Sequence, residues 1–142
     1  MNRLLLAVAL VVAGCGDARP RVGNPGNPSD STTRVGPTGT TQSECAAAGL
    51  TGLTYSNFGQ AFATAWCTRC HSPSSADRHG APLDHNFNTY EGIQQFKDEI
   101  DQVAAMNPTG SQRNNFMPIT DPVPPDDERK KLACWIATGL AQ

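Results

Sequence analysis

The chain has 142 residues, with 11 Lys and Arg against 13 Asp and Glu, and a formal net charge of −2 at pH 7. This length suits one domain, and without a basic stripe there is no reason to expect nucleic acid as a partner. Five cysteines are many for a reduced cytosolic chain of this size, so their placement becomes informative.

The N-terminus has the pattern of a secretory signal. Arg3 gives it a positive charge, and residues 4–12 form an apolar run that is too short for a permanent membrane span. Residues 12–15 (VAGC) resemble a bacterial lipobox, which predicts lipidation of Cys15; an ordinary signal peptide with an incidental cysteine is the alternative. In Gram-negative lipoproteins a residue other than Asp after the cysteine, here Gly16, favours the outer membrane. We therefore expect a periplasmic, lipid-anchored protein.

The segment after the lipobox is rich in Gly, Pro, Asn, Ser and Thr and has almost no apolar residues. Such a segment buries too little apolar surface to offset its ordering entropy, so it is predicted to be disordered. As a flexible coil it would separate membrane and domain by roughly 30 Å. The expected organisation is a signal peptide at 1–14, a lipidated cysteine and linker at 15–43, and a folded domain at 44–142.

The first predicted helix covers about residues 57–68, with Ser56 as its N-cap. Helical spacing gives it one apolar face. The predicted members of that face are Phe58, Ala61, Phe62 and Ala65.

This helix leads into the motif Cys67-Thr68-Arg69-Cys70-His71. C-x-x-C-H is typical of covalent c-type haem attachment, in which each cysteine adds to one vinyl group and the histidine becomes the proximal iron ligand. Trp66 before Cys67 also allows a thioredoxin-type thiol site, but that fold needs a strand before the motif, and none is indicated. A zinc site lacks a second ligand pair at suitable spacing.

The loop after the motif contains His79 and His85, either of which could give a bis-histidine iron. Both are more simply interpreted as surface histidines. Arg78 could reach a haem propionate, or be merely solvated.

Two further helices are predicted. The second begins with Asn88 and Glu91 in capping-box spacing and runs to about Ala105. The third follows Pro124-Pro125, continues to about Thr138 with Leu132, Trp135 and Ile136 on its buried face, and is capped by Gly139. No alternating strand pattern of useful length is present, so the domain is predicted to be all-α, with about three to four helices.

A second iron ligand could come from Met106 or Met117. Met106 ends the second helix, where an apolar residue ordinarily packs in the core. Met117 lies in an irregular segment, and Pro118 restrains it to an extended backbone that could cross a haem face. We predict Met117, with Met106, a histidine or an open site as alternatives.

With these motifs in place, residues 44–140 resemble a small class I c-type cytochrome of the single-haem bacterial lipoprotein kind. The resemblance implies a cytochrome c-like fold around one covalent haem c held by Cys67, Cys70, His71 and Met117. It also implies a helix entering the C-x-x-C-H motif and a C-terminal helix crossing it, with Met117-Pro118 matching the M-P element before the last helix.

The same resemblance implies further roles. Near Gly80 the family places a backbone carbonyl against the proximal histidine; here Pro82 would supply it and Leu83 would cover the ring, although Ala81 interrupts the family's G-P pair. The packing of first and last helices could join Cys45 and Cys134 in a disulfide, worth on the order of 4 kcal/mol.

A haem iron with both axial positions occupied transfers electrons, so the expected function is a monomeric, membrane-tethered electron carrier with transient redox partners. The enzymatic alternative is a peroxidase-like protein or sensor with a displaceable distal ligand, for which Asp121 or His79 would be the acid–base group. An accessory subunit with a structural haem is a third interpretation.

Overall fold

A computed structural model describes residues 37–142. The predicted signal peptide, the predicted lipidation of Cys15 and most of the predicted linker lie outside these residues. Among the helices of the described part, none has both the length and the hydropathy that a bilayer span requires.

The described chain is helical, and the predicted all-α class is confirmed for it. It has five helices and no strand, with one isolated bridge between Met106 and Arg113. In chain order the helices are α1 (Gln42–Ala47), α2 (residues 55–67), α3 (Tyr90–Gln95), α4 (Lys97–Ala104) and α5 (Asp126–Ala137).

Helix α1 was not predicted. Thr41 caps it in a capping box with Glu44, where each side chain pairs with the backbone N–H of the other. Three residues earlier, Thr38 is buried and donates from its backbone N–H and its hydroxyl to the two carboxylate oxygens of Asp101, at 2.8 Å each. Residues 38–43, expected in the linker, therefore pack on the domain.

Helix α2 is continuous through Tyr55–Gly59, Gln60–Phe62 and Ala63–Cys67, with i→i−5 hydrogen bonds in its first and last turns. Its N-cap is Thr54 and not Ser56, because Thr54 has the extended backbone of a cap and accepts from the N–H of Asn57. Ala61 and Ala65 are exposed, contrary to the predicted face. The wider turns rotate the buried side toward Phe58, Gly59, Phe62 and Ala63.

The second predicted helix is divided into α3 and α4 at Phe96, whose backbone leaves the helical region. Its N-cap is Thr89 and not Asn88, since the Thr89 hydroxyl accepts from the N–H of Gly92. The division still leaves Ile93 and Ile100 in the core. It also directs the Phe96 ring onto His85, with the ring centroids 3.9 Å apart.

Helix α5 has the predicted position and end. Gly139 takes a left-handed conformation, with φ of 79°, and its N–H donates to the carbonyl of Ile136 while that of Leu140 donates to Trp135. These two bonds form a Schellman cap. The predicted disulfide is confirmed in the structure: Cys134 of α5 is bonded to Cys45 of α1, with the Cα atoms 5.5 Å apart.

Trp135 is the centre of the core. It is 1% exposed, packs edge-on against Phe58 and stacks with Tyr55, both from α2. Gly59 permits this contact, because a Cβ at that position would overlap the indole ring. The close crossing of α2 and α5 thus holds the end of α2, and the motif that follows it, at a fixed place on the domain.

Candidate functional site

An open cavity lies beside the end of α2, and it encloses about 1040 Å³ of empty space, part of which is open to solvent. Its lining is mostly apolar, as ligand sites usually are. One wall comes from the end of α2 and the C-x-x-C-H motif, one from α4, and one from the segment that contains Met117. Lining residues include Phe62, Trp66, Cys67, Cys70, His71, Pro82, Phe87, Ile100, Val103, Met117, Pro118 and Ile119.

Cys67 and Cys70 both lie on the cavity, and both are free thiols. Cys67 is the last residue of α2, and the following turn is closed by N–H donation from Cys70 and His71 to the Cys67 carbonyl, at 3.1 and 2.8 Å. Burial raises the pKa of the Cys67 thiol to about 12. This thiol is therefore protonated at neutral pH, in contrast to the low-pKa thiols of disulfide exchange.

The His71 ring is oriented from two sides. It stacks on Phe87 with a centroid distance of 4.5 Å, and its Nδ1 lies 3.2 Å from the carbonyl oxygen of His85. Donation from Nδ1 leaves the Nε2 lone pair for a ligand bond. Burial lowers the pKa of His71, against the opposing effect of the His85 carbonyl, and so favours the neutral ring that binds metals.

The prediction that the Pro82 carbonyl lies beside His71 is wrong: the carbonyl belongs to His85. The Pro82 carbonyl instead accepts from the guanidinium of Arg78, and Pro82 reaches the cavity only as part of its lining. Leu83 does not cover the ring, because its side chain is 83% exposed and lies off the cavity. The acceptor therefore comes three residues later in the chain than expected.

Residues 72–86, which we term the His71-side loop, are organised by Arg78. Its guanidinium donates to the carbonyl of Ser72 at 2.6 Å, to the side-chain oxygen of Asn86 at 3.0 Å and to the carbonyl of His85 at 3.1 Å. A bond to Ala81 and the one to Pro82 complete the set. Arg78 thus supports the carbonyl that faces His71.

The two alternative histidines are placed differently. His85 stacks on Phe96, and its ring nitrogens contact carboxylate oxygens of Asp84 at 2.9 Å and Glu99 at 3.2 Å. Burial tends to lower the pKa of His85, but these two carboxylates outweigh it and raise that pKa. Both nitrogens are occupied, so His85 is a poor iron ligand. His79 is an exposed residue at the cavity rim, 3.6 Å from Asp77.

Of the two methionines, only Met117 lines the cavity. Its N–H donates to the Val103 carbonyl at 2.8 Å, which fixes it beside α4. Met106 is buried elsewhere and donates its N–H to the carbonyl of Arg129 at 3.1 Å. The structure therefore brings Met117, and not Met106, to the cavity that contains His71.

Residues 114–125, which we term the Met117-side loop, are held by two arginines that the sequence analysis did not identify as site residues. Arg69, between the two motif cysteines, donates to the carbonyls of residues 120, 121 and 122. Arg129, from α5, is 1% exposed and donates to the Met117 carbonyl at 2.9 Å. No residue pattern indicates these bonds, because their acceptors are main-chain carbonyls that every residue carries.

Trp66 closes the wall nearest α5. Its indole N–H donates to a carboxylate oxygen of Glu128 at 2.6 Å, while its ring lines the cavity. Asp121, the other candidate acid–base group, is exposed and does not line the cavity. Across residues 37–142, no three His, Cys, Asp or Glu side chains are grouped as a metal site.

Comparison of the chain with protein-family models, with curated proteins and with solved structures gave no match.

Proposed function

We propose that the cavity holds one haem c, bound covalently by Cys67 and Cys70, with His71 and Met117 as axial ligands, and that the protein carries electrons. One observation carries this proposal. Two thiols, an imidazole and a thioether, from segments separated by more than forty residues of chain, line a single apolar cavity. These are the groups that a c-type haem requires of a protein.

The residues present suit such a group. A neutral imidazole with its Nδ1 bonded to a carbonyl is a suitable nitrogen ligand, and a thioether is a soft sulfur ligand. The mostly apolar walls would cover part of a flat ring and limit its contact with water. The all-helical architecture, with a helix entering the motif and the last helix packed against it, is compatible with a cytochrome c-like fold.

When bound, a haem with both axial positions filled supplies one-electron transfer and offers no iron position to a substrate. The chain's own residues then have defined tasks. His85 and Arg78 keep the His71 ring in one orientation, and Phe87 supports its face. Ile100 and Val103 exclude water, which together with methionine ligation favours a relatively high reduction potential.

The cellular setting is part of the proposal. The secretory signal and the lipobox at Cys15 would place a monomeric carrier in the periplasm, anchored by lipid, most simply at the outer membrane. Transient contacts with a redox donor and an acceptor would then suffice, because the tether maintains a high local concentration.

A thiol–disulfide exchange function is disfavoured. The Cys67 thiol, with its pKa near 12, lacks the stabilised thiolate that exchange chemistry uses. The motif also ends a helix, whereas a thioredoxin-type motif follows a strand and begins a helix.

The first test compares the matched variants Met117→Leu and Met106→Leu with the wild type, each matured with haem. Both variants lose one thioether at nearly constant volume, so packing changes little. We expect a low-spin spectrum whose near-infrared sulfur-to-iron charge-transfer band disappears in M117L and remains in M106L. Loss of the band in M106L alone would overturn the assignment of Met117. A high-spin wild type would favour a haem enzyme with an open position, and absence of covalent haem would overturn the proposal.

A further inference from the structure

Arg129 is among the most deeply buried charged residues of the described chain, at 1% exposure, and it lies just outside the candidate haem cavity. Its four hydrogen-bond acceptors are main-chain carbonyls. Its Nη1 donates to the carbonyls of Ala104 at 2.6 Å, Asn114 at 3.0 Å and Met117 at 2.9 Å, and its Nε donates to that of Pro124 at 3.2 Å.

The four acceptors lie at the end of α4 and along the Met117-side loop. Ala104 is the last residue of α4, Asn114 begins the Met117-side loop, and Pro124 is near the end of that loop. Because Nη1 has two hydrogens and three acceptors, at least one of its hydrogens is shared. One guanidinium therefore fixes both ends of the loop and the methionine within it.

Met117 is held on both sides of its Cα. Its N–H donates to the Val103 carbonyl of α4, and its own carbonyl accepts from Arg129 of α5. With both flanking peptide groups fixed, the direction of the Cα–Cβ bond is fixed as well. The thioether is thereby kept on the cavity side of the loop.

A buried cation is costly, so its retention calls for a reason beyond packing alone. Burial lowers the pKa of Arg129 to about 10, which leaves it charged at neutral pH. The planar fork of arginine can reach several carbonyls at once, whereas most other side chains cannot. The geometry therefore suits a side chain that bonds several separate backbone segments at once.

We propose that Arg129 is the positioning residue for Met117: by bonding its carbonyl, Arg129 holds the thioether where an axial iron ligand is needed. This inference rests on the proposed function, in which Met117 ligates the haem iron. It adds a residue that touches neither the cavity nor the haem. A structural role alone would stabilise the fold without changing how firmly the sulfur is bound.

The test uses the haem-matured chain and the variants Arg129→Gln and Lys130→Gln. Both remove one positive charge from neighbouring positions of α5, but Lys130 only approaches Asp127, at 3.9 Å. We expect R129Q to retain its covalent haem and helical circular dichroism, while the sulfur-to-iron band weakens. Loss of a charged hydrogen bond should lower the equilibrium constant for sulfur ligation roughly tenfold. K130Q should match the wild type.

Amide hydrogen exchange gives a second measurement that does not depend on haem. The amides of Asn114 and Met117 donate to the carbonyls of Ala105 and Val103. In R129Q these two amides should exchange roughly tenfold faster than in K130Q, because the loop opens more readily. If R129Q matched K130Q in both the band and the exchange rates, even with a lower melting temperature, Arg129 would be only structural and the inference would fail.

Two other outcomes are also decisive. If R129Q does not fold, Arg129→Lys retains the charge but lacks the fork and the Nε bond, so a partial loss of the band supports the inference and an unchanged band overturns it. If haem-loaded wild type has no band, Met117 ligation in the proposed function is wrong. In that case, equal exchange rates in R129Q and K130Q would show that Arg129 does not fix the backbone at Met117. Faster exchange in R129Q would show that it does.

Discussion

The two loops that border the cavity are both held by arginines bonded to backbone carbonyls, but they obtain those arginines from different parts of the chain. The His71-side loop contains its own Arg78, whose acceptors all lie within eight residues of it. The Met117-side loop is held by Arg69 from the C-x-x-C-H motif and by Arg129 from α5, outside the loop on either side.

This difference separates a local element from a tertiary one. The His71-side loop can form as soon as its own residues fold, since its contacts span short loops with low closure entropy. The Met117-side loop depends on α2, α4 and α5 having already packed together. We therefore expect the methionine side of the site to loosen before the histidine side whenever the domain is weakened.

The largest expected effect comes from removing the disulfide, which joins α1 to the last turns of the helix that carries Arg129. The double variant Cys45→Ser, Cys134→Ser removes a cross-link between residues 89 positions apart. It should lower the free energy of unfolding by about 4 kcal/mol. Urea unfolding measures this loss, and hydrogen exchange should show the Met117-side amides losing protection first. Reduction of the wild type is the control and should reproduce the loss. Equal loosening of both loops would contradict the comparison.

A smaller effect, confined to the His71-side loop, is expected from Arg78→Gln. Loss of its bonds to the carbonyls of Ser72 and His85 should cost about 2 kcal/mol and increase exchange within residues 72–86. The Met117-side amides should keep their wild-type exchange rates, the reverse of the pattern expected for R129Q. Equivalent acceleration in both loops would show that they form one cooperative unit.

The smallest effect should come from a cap that belongs to neither loop. Thr89→Ala removes the hydroxyl that accepts from Gly92 at the start of α3 and should cost about 1 kcal/mol. Asn88→Ala, the neighbouring substitution, should change stability by less than about 0.5 kcal/mol. The melting temperatures of the two variants show whether Thr89 or Asn88 caps α3. A greater loss in N88A would restore Asn88 as the cap.

Much of the site follows from residue types and their spacing. The three motif residues, Cys67, Cys70 and His71, lie within five consecutive positions, so a helix that ends at Cys67 and continues into a turn brings them together. Met117 was distinguished from Met106 by its irregular surroundings, and it lines the cavity. The disulfide between Cys45 and Cys134 was expected from the resemblance, which places the first and last helices in contact, once the other three cysteines had been assigned to the motif and the lipobox.

Errors occurred where several residues of similar chemistry compete for one position. Thr54 and Ser56, or Thr89 and Asn88, are all acceptable caps, and the backbone conformation of the folded chain selects among them. The exposure of Ala61 has a different cause: the i→i−5 bonds of its helix rotate the side chains away from the faces that ideal α-helical spacing predicts.

By itself, the sequence determined the helical class, the position of α5 and its Gly139 cap, and the thiol and imidazole groups of the site. These depend on side-chain types at short spacings, which the sequence states directly. Only the tertiary structure decided that His85 provides the carbonyl beside His71, that Leu83 is exposed, and that Arg69 and Arg129 hold the Met117-side loop. Those contacts end on main-chain carbonyls, which are the same in every residue, so only the packing of the helices determines which one each donor meets.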